Sequence, residues 1–151
     1  MWKRALVCSL LVFAWLSPDH ALAQSGTTTL VLPLRSLGVN DTPLLVGGDL
    51  LVGGLEDLGL RAVADDAAGA PLPTGANACD QPACAATLGA ERGAGQVVYG
   101  SLSKLGGKVI ARLGVIRVGE AAPYYRDQLT ASSEEDLDTV MRRFAEGIAA
   151  G

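Results

Sequence analysis

The chain has 151 residues, with 12 basic against 16 acidic side chains and a net charge of −4. That balance, with no basic stripe anywhere along the chain, excludes a nucleic-acid footprint. A single histidine and 3 cysteines exclude a histidine-rich metal centre, and aromatics at 5% leave the core to branched aliphatic side chains.

Residues 1–4 carry Lys3 and Arg4, residues 5–16 are apolar, and Pro18 breaks the run. Ala21-Leu22-Ala23 before Gln24 is a small-x-small cleavage site, so residues 1–23 read as a secretory signal peptide. The apolar run is shorter than the roughly 20 residues that span a bilayer, and no later run reaches that length. The expected protein is therefore one exported α/β domain, residues 24–151, periplasmic or secreted and not membrane-spanning. Cleavage removes Lys3, Arg4, Asp19, His20 and Cys8, leaving ten basic and fifteen acidic residues and no histidine. Cys8 does not read as a lipidated cysteine, because Val7 precedes it and most of the apolar stretch follows it.

Residues 28–34 (TTLVLPL) are short, apolar and β-rich, and predict a buried first strand. Residues 36–41 turn the chain. Thr42 then caps a helix with Pro43 at its first position, running to Leu58, with Leu44, Leu51, Leu55 and Leu58 on its buried face. Gly47, Gly48, Gly53 and Gly54 each cost about 0.8–1 kcal/mol against alanine in a helix, and are read as allowing close approach to the sheet or as simply tolerated. Gly59 ends the helix and residues 60–64 form a second strand, making a right-handed parallel βαβ unit. After a small-residue loop over 65–78, a second helix covers 81–92.

Residues 97–105 and 108–118 flank Gly106-Gly107 and predict a tight hairpin in which Leu105 faces Lys108, Leu102 faces Ala111, Gly100 faces Leu113 and Val98 faces Val115. One hairpin face is apolar (Val98, Leu102, Val109, Ala111, Leu113, Val115). The other carries Tyr99, Ser101, Ser103, Lys108, Ile110, Arg112 and Ile116 and is expected to face solvent or a partner. Residues 123–130 add a third meander strand. In the last helix Ser132 with Glu135, or Ser133 with Asp136, forms a capping box, and Leu137, Val140, Met141, Phe144 and Ile148 make one apolar stripe. The expected fold is a two-layer α/β (α+β) sandwich: a mixed sheet of about five strands and three helices, in the order β-α-β-α-β-β-β-α, with the helices on one face and Leu32, Val63, Val98 and Phe144 among the buried residues.

Cys79 and Cys84, alone in an exported domain, read as a structural disulfide. Within one regular helix their Cα atoms would lie beyond the roughly 7 Å a bridge tolerates, so Cys79 belongs in the loop and Cys84 in the first turn after Pro82. A redox role is weaker, since the spacing is not Cys-x-x-Cys and no neighbouring cation lowers a thiol pKa. Ser101-Leu-Ser-Lys104 matches the Ser-x-x-Lys pattern of penicillin-recognising enzymes, but there the serine opens a helix and here it falls in a strand. Residues 100–108 fail as a phosphate loop, with Leu102 and Val109 at positions needing glycine and Ser/Thr. Asp65-Asp66 and Glu134-Glu135-Asp136 read as a solvated loop and a helix start rather than a cation site, and Asn40-Asp-Thr42 is a glycosylation sequon. No nucleophile, base and orienting group assemble, and no cofactor is implied.

Leu30-Val-Leu-Pro-Leu34, the block Cys79-x4-Cys84-Ala through Leu88-Gly89-Ala90, Gln96-Val-Val-Tyr-Gly100-Ser-Leu-Ser-Lys-Leu-Gly106 and Ser132-Ser-Glu-Glu-Asp-Leu137 together resemble the TolB N-terminal, FlgO and CsgG kind of bacterial envelope domain, over nearly the whole mature chain. The resemblance implies an anticodon-binding-domain-like fold serving as a non-catalytic docking or assembly module in the envelope, with a protein partner and a peripheral association with outer-membrane assemblies. The chain lacks the propeller, pore-forming strands and lipidated cysteine of larger members. The expected partner surface is Tyr99, Ile110, Arg112 and Ile116 on the outward hairpin face. The competing reading is a small exported thioredoxin-like redox protein using the cysteines, or a hydrolase using Ser101 and Lys104. Against the thioredoxin-like fold, the cysteines follow the second strand and no proline precedes Val97.

Overall fold

The computed structural model describes residues 27–64 and 71–151; the signal peptide reading and the Asp65-Asp66 cluster fall on residues outside these. The chain runs β1 (Thr29–Val31), β2 (Arg35–Leu37), α1 (Asp41–Asp57), β3 (Ala62–Ala64), α2 (Pro82–Glu91), β4 (Gln96–Leu105), β5 (Lys108–Arg117), β6 (Tyr125–Ala131) and α3 (Leu137–Ala150), with 3-10 turns at Gly75–Asn77 and Glu134–Asp136. The strands form one mixed sheet ordered β3-β1-β4-β5-β6, with β2 also paired to β4. The fold is α+β, a sheet layered with helices. The βαβ unit is present, since β1 and β3 pair in parallel with α1 between them in the chain.

The first strand is shorter than the expected 28–34, and a further strand, β2, occupies residues expected to begin the turn at 36–41. Pro33 has no N–H to give a ladder, so β1 pairs with β4 at Val97 and Val98, and pairing resumes only at Arg35, opposite Ser101. Helix α1 begins at Asp41 with Asn40 as its cap, so Pro43 is the third helical residue, where the first-turn N–H is unused anyway. Neither Ser132 nor Ser133 caps α3 with its side chain; the 3-10 turn leads into it instead.

The hairpin register agrees with expectation at all four positions, and ten residue pairs run from Gln96↔Arg117 to Leu105↔Lys108. Gly106 adopts φ +62°, a conformation that costs glycine little. Strand alternation then divides the sheet into two faces. On one, Val31, Val98, Leu102, Val109, Ala111, Leu113 and Val115 join Leu51 and Leu55 of α1 and Leu137, Val140, Met141, Phe144 and Ile148 of α3 in the main core. On the other, Leu30, Leu32, Val97, Tyr99 and Ile116 pack with Cys79 and Ala85. The helices were expected on one face; α1 and α3 share it, but α2 covers the reverse one, where it packs on β4 and β5.

That placement corrects two expectations of burial. Val63 pairs with Leu30 and so points to the α2 face, but α2 does not reach the β3 edge and Val63 is 39% exposed. Leu58 caps α1 rather than extending its stripe and is 47% exposed. At one end of the sheet Gln96 Nε2 donates to Thr29 Oγ1 at 2.6 Å and the Tyr124 hydroxyl donates to Gln96 Oε1 at 2.9 Å. Arg117 lies 4.1 Å from the Tyr124 ring centroid. Burial, opposed in part by Arg117, pushes the Tyr124 phenol above its ordinary pKa.

The α1 glycines divide into two kinds. A Cβ on Gly54 would lie 3.1 Å from Ala145 Cβ, so this glycine lets α1 approach α3, while one on Gly47 would lie 3.3 Å from Met141 Cε of α3 and 3.6 Å from Leu102 Cδ1 of β4, so this one serves both α3 and the sheet. Gly48 and Gly53 face open space. Gly48→Ala and Gly53→Ala should therefore each raise unfolding free energy by about 0.5–1 kcal/mol in denaturant titrations. Gly89→Ala, whose Cβ would collide with Val97, should lower it. A loss of stability at either open position would contradict this packing.

Candidate functional site

A concavity lies on the α2 face, where α2 ends its coverage and leaves β4, β5 and β6 open. It is a cleft of about 560 Å³, floored by Tyr99, Ser101 and Gly114 and walled by Asp80, Gln81 and Pro82 on one side and Arg112, Arg126 and Gln128 on the other. Period-two alternation brings these together: Tyr99 pairs with Gly114, Ser101 with Arg112, and Arg112 with Gln128. The Tyr99 ring lies over Gly114, where any Cβ would come within 2.6 Å of it.

The disulfide loop builds the other wall. Cys79 is buried in the loop and is bridged to Cys84, in the first turn of α2, with Cα atoms 6.0 Å apart. Asp80, between them, takes a 2.9 Å ion pair from Arg35 of β2 and a hydrogen bond from Gln81 Nε2. Half-exposed pairs of this kind contribute about 1 kcal/mol or less; here the pair anchors the loop beside the sheet.

Of the four residues expected on an outward face, the structure exposes one fully. Arg112 is exposed and Ile110 half-buried, whereas Ile116 is 1% and Tyr99 4% exposed, both in the core beneath α2. The sequence reading gave the hairpin faces correctly and left α2 off this one, so Ile116 is a core residue. Arg126 and Gln128 were missed, although their period-two placement beside Arg112 in the meander was available in the sequence.

The catalytic alternatives separate geometrically. Ser101 lies on the α2 face and Lys104, three residues along the strand, points to the other, where its Nζ pairs with Glu134 at 3.1 Å. Cys79 and Cys84 are joined and carry no free thiol. Among the described residues no three His, Cys, Asp or Glu side chains group as a metal site, and no helix is long and apolar enough to cross a membrane.

The chain matches no protein-family profile and no curated protein sequence. Its fold does match solved structures. The PelC dodecamer from Paraburkholderia phytofirmans aligns at TM-score 0.53 and 16% identity over 85% of this chain and 89% of that one. Lipoprotein GNA1162 from Neisseria meningitidis aligns at 0.54 and 12% over 82% and 96%. TolB from Acinetobacter baumannii aligns at 0.55 and 12% over 82% of this chain but 27% of TolB. The chain thus has the fold of a TolB N-terminal-like domain, shared with a lipoprotein and a dodecamer-forming protein.

Replacing Cys79 and Cys84 by serine together should lower unfolding free energy by about 2 kcal/mol, and alkylation without reduction should leave both unmodified in a peptide map. Ready alkylation of the native protein would contradict a structural bridge.

Proposed function

We propose that this chain is a non-enzymatic interaction domain of the bacterial envelope, exported by cleavage after Ala23, which docks another protein through the sheet face left open beside α2. The observation that supports this most is the cleft itself: exposed Arg112, Arg126 and Gln128 stand around a depression on a three-strand platform, with half-buried Ile110 on the same sheet face. Arginine set against apolar and aromatic surface is a composition suited to protein contacts. The Ser101 and Lys104 side chains point to opposite sheet faces, which argues against a hydrolase built on them. A TolB N-terminal-like fold gives the docking reading its context, and a dodecamer with this fold makes self-association one form that assembly could take.

Cross-linking in intact envelopes followed by mass spectrometry tests this, comparing wild type with Arg112→Glu/Arg126→Glu. Both substitutions sit on exposed positions and leave the core untouched. A specific cross-linked partner, lost in the double variant, and an N-terminal peptide beginning at Gln24 are the expected results. Unchanged partners in the variant would remove the proposed surface, and a retained leader would remove export by cleavage.

A further inference from the structure

The same cleft and its immediate border carry hydrogen-bond donors that the protein itself does not satisfy. The Tyr99 hydroxyl is buried with no partner, on a residue only 4% exposed. The other such atom among the described residues is Arg35 Nε, on the guanidinium that holds Asp80 at the cleft rim. Buried polar atoms are nearly always paired, so an orphan at a concave surface needs an explanation. Helix α2 starts on the same wall. Gln81 provides no side-chain cap and Ala85 N–H bonds to Gln81 O, so the Ala83 and Cys84 N–H groups have no partner within the helix.

Across the cleft stand two guanidinium groups. Arg112 Nε donates to Gln128 Oε1 at 2.6 Å, leaving its terminal nitrogens, and Arg126 has no ion-pair partner among the described residues. The acceptor at the rim, Asp80, is already used by Arg35 and Gln81, and Asp127, opposite Leu113, lies on the other face of the sheet.

We propose that this cleft is a carboxylate-binding site, occupied by an Asp or Glu side chain in the docking segment of a protein partner. The proposal rests on the docking reading and specifies the chemistry of that face. A carboxylate is an acceptor-only group with about four lone-pair sites, for which the Tyr99 hydroxyl and an arginine fork line the cleft and the α2 N-terminus stands at its border. The positive end of the α2 dipole adds to the attraction. Asp80 at the rim opposes a phosphate dianion more than a singly charged carboxylate. The chain's net charge of −4 opposes an anionic bilayer, whereas a side chain reaching into the cleft meets chiefly the local cations within a Debye length of about 8 Å.

The test is an amide-resolved NMR titration of the purified full chain with a blocked hexapeptide of alternating Glu and Ala. The controls are the Gln-for-Glu peptide, inorganic phosphate and phosphatidylglycerol vesicles. The Glu peptide should give saturable shifts at Ala83, Cys84 and Gly114, and the Gln peptide none. Tyr99→Phe, which keeps the ring over Gly114 and removes only the hydroxyl, should weaken binding about tenfold with no loss of melting temperature, since the hydroxyl it removes is unpaired. Arg112→Gln/Arg126→Gln should weaken it at least as much. Equal affinity for the Gln peptide, wild-type affinity in Tyr99→Phe, or saturable shifts with phosphate or vesicles alone would overturn the assignment. If the peptide fails to bind while envelope cross-links are still lost in Arg112→Glu/Arg126→Glu, the carboxylate site falls and docking stands. If the peptide binds and no cross-linked partner exists, docking falls and the site stands.

Discussion

Ten cross-strand pairs between β4 and β5, closed by Gly106-Gly107, determine which side of the sheet every other element meets. A slip of one residue would exchange the two faces of the hairpin. Val98, Leu102, Val109, Ala111, Leu113 and Val115 would then turn away from α1 and α3, and Arg112 would turn into the main core. Completely burying one such aliphatic side chain is worth about 1.5–3 kcal/mol, so the cost of a slip rivals the whole stability of an ordinary domain. The hairpin is the frame on which β1, β2 and β6 assemble, since each pairs directly with β4 or β5.

The two faces are then covered unequally. Helices α1 and α3 pack closely over the first, helped by Gly47 and Gly54, which admit Met141 and Ala145. On the second, among the described residues, only the ten-residue α2 is available, tethered by the Cys79–Cys84 bridge at its start. Coverage therefore runs out partway across the sheet. Val97 and Ile116 lie beneath α2, while Arg112, Gln128 and Arg126 remain outside it. The cleft is the geometric remainder of one short helix on a long hairpin, and its orphan Tyr99 hydroxyl sits on the boundary between covered and open sheet.

Local signals in the sequence were enough for much of this. The glycine turn gave the hairpin register, the 3.6-residue stripe from Leu137 to Ile148 gave α3 and its buried face, and Pro82 gave the start of α2 and the place of Cys84. The side of the sheet on which α2 lies has no local signal: its apolar residues are alanines and one leucine, too uniform to announce a face. That single unknown explains why Tyr99 and Ile116 read as outward and are buried. It also explains Val63, whose face could be judged only once the reach of α2 was known. The end of β1 before Pro33 was marked in the sequence by the proline, but β2, in residues that read as a turn, depends on the length of β4 for its partner. The separation of Ser101 from Lys104 follows from strand alternation alone.

The two-faced hairpin is tested most directly by methyl-resolved nuclear Overhauser contacts. Val98 and Val115 methyls should contact Phe144 and Leu55, and Val97 and Ile116 methyls should contact Ala85, with no crossover between the two sets. Contacts from Ile116 to α3, or an Ile116 methyl broadened by a soluble paramagnetic probe, would contradict the account.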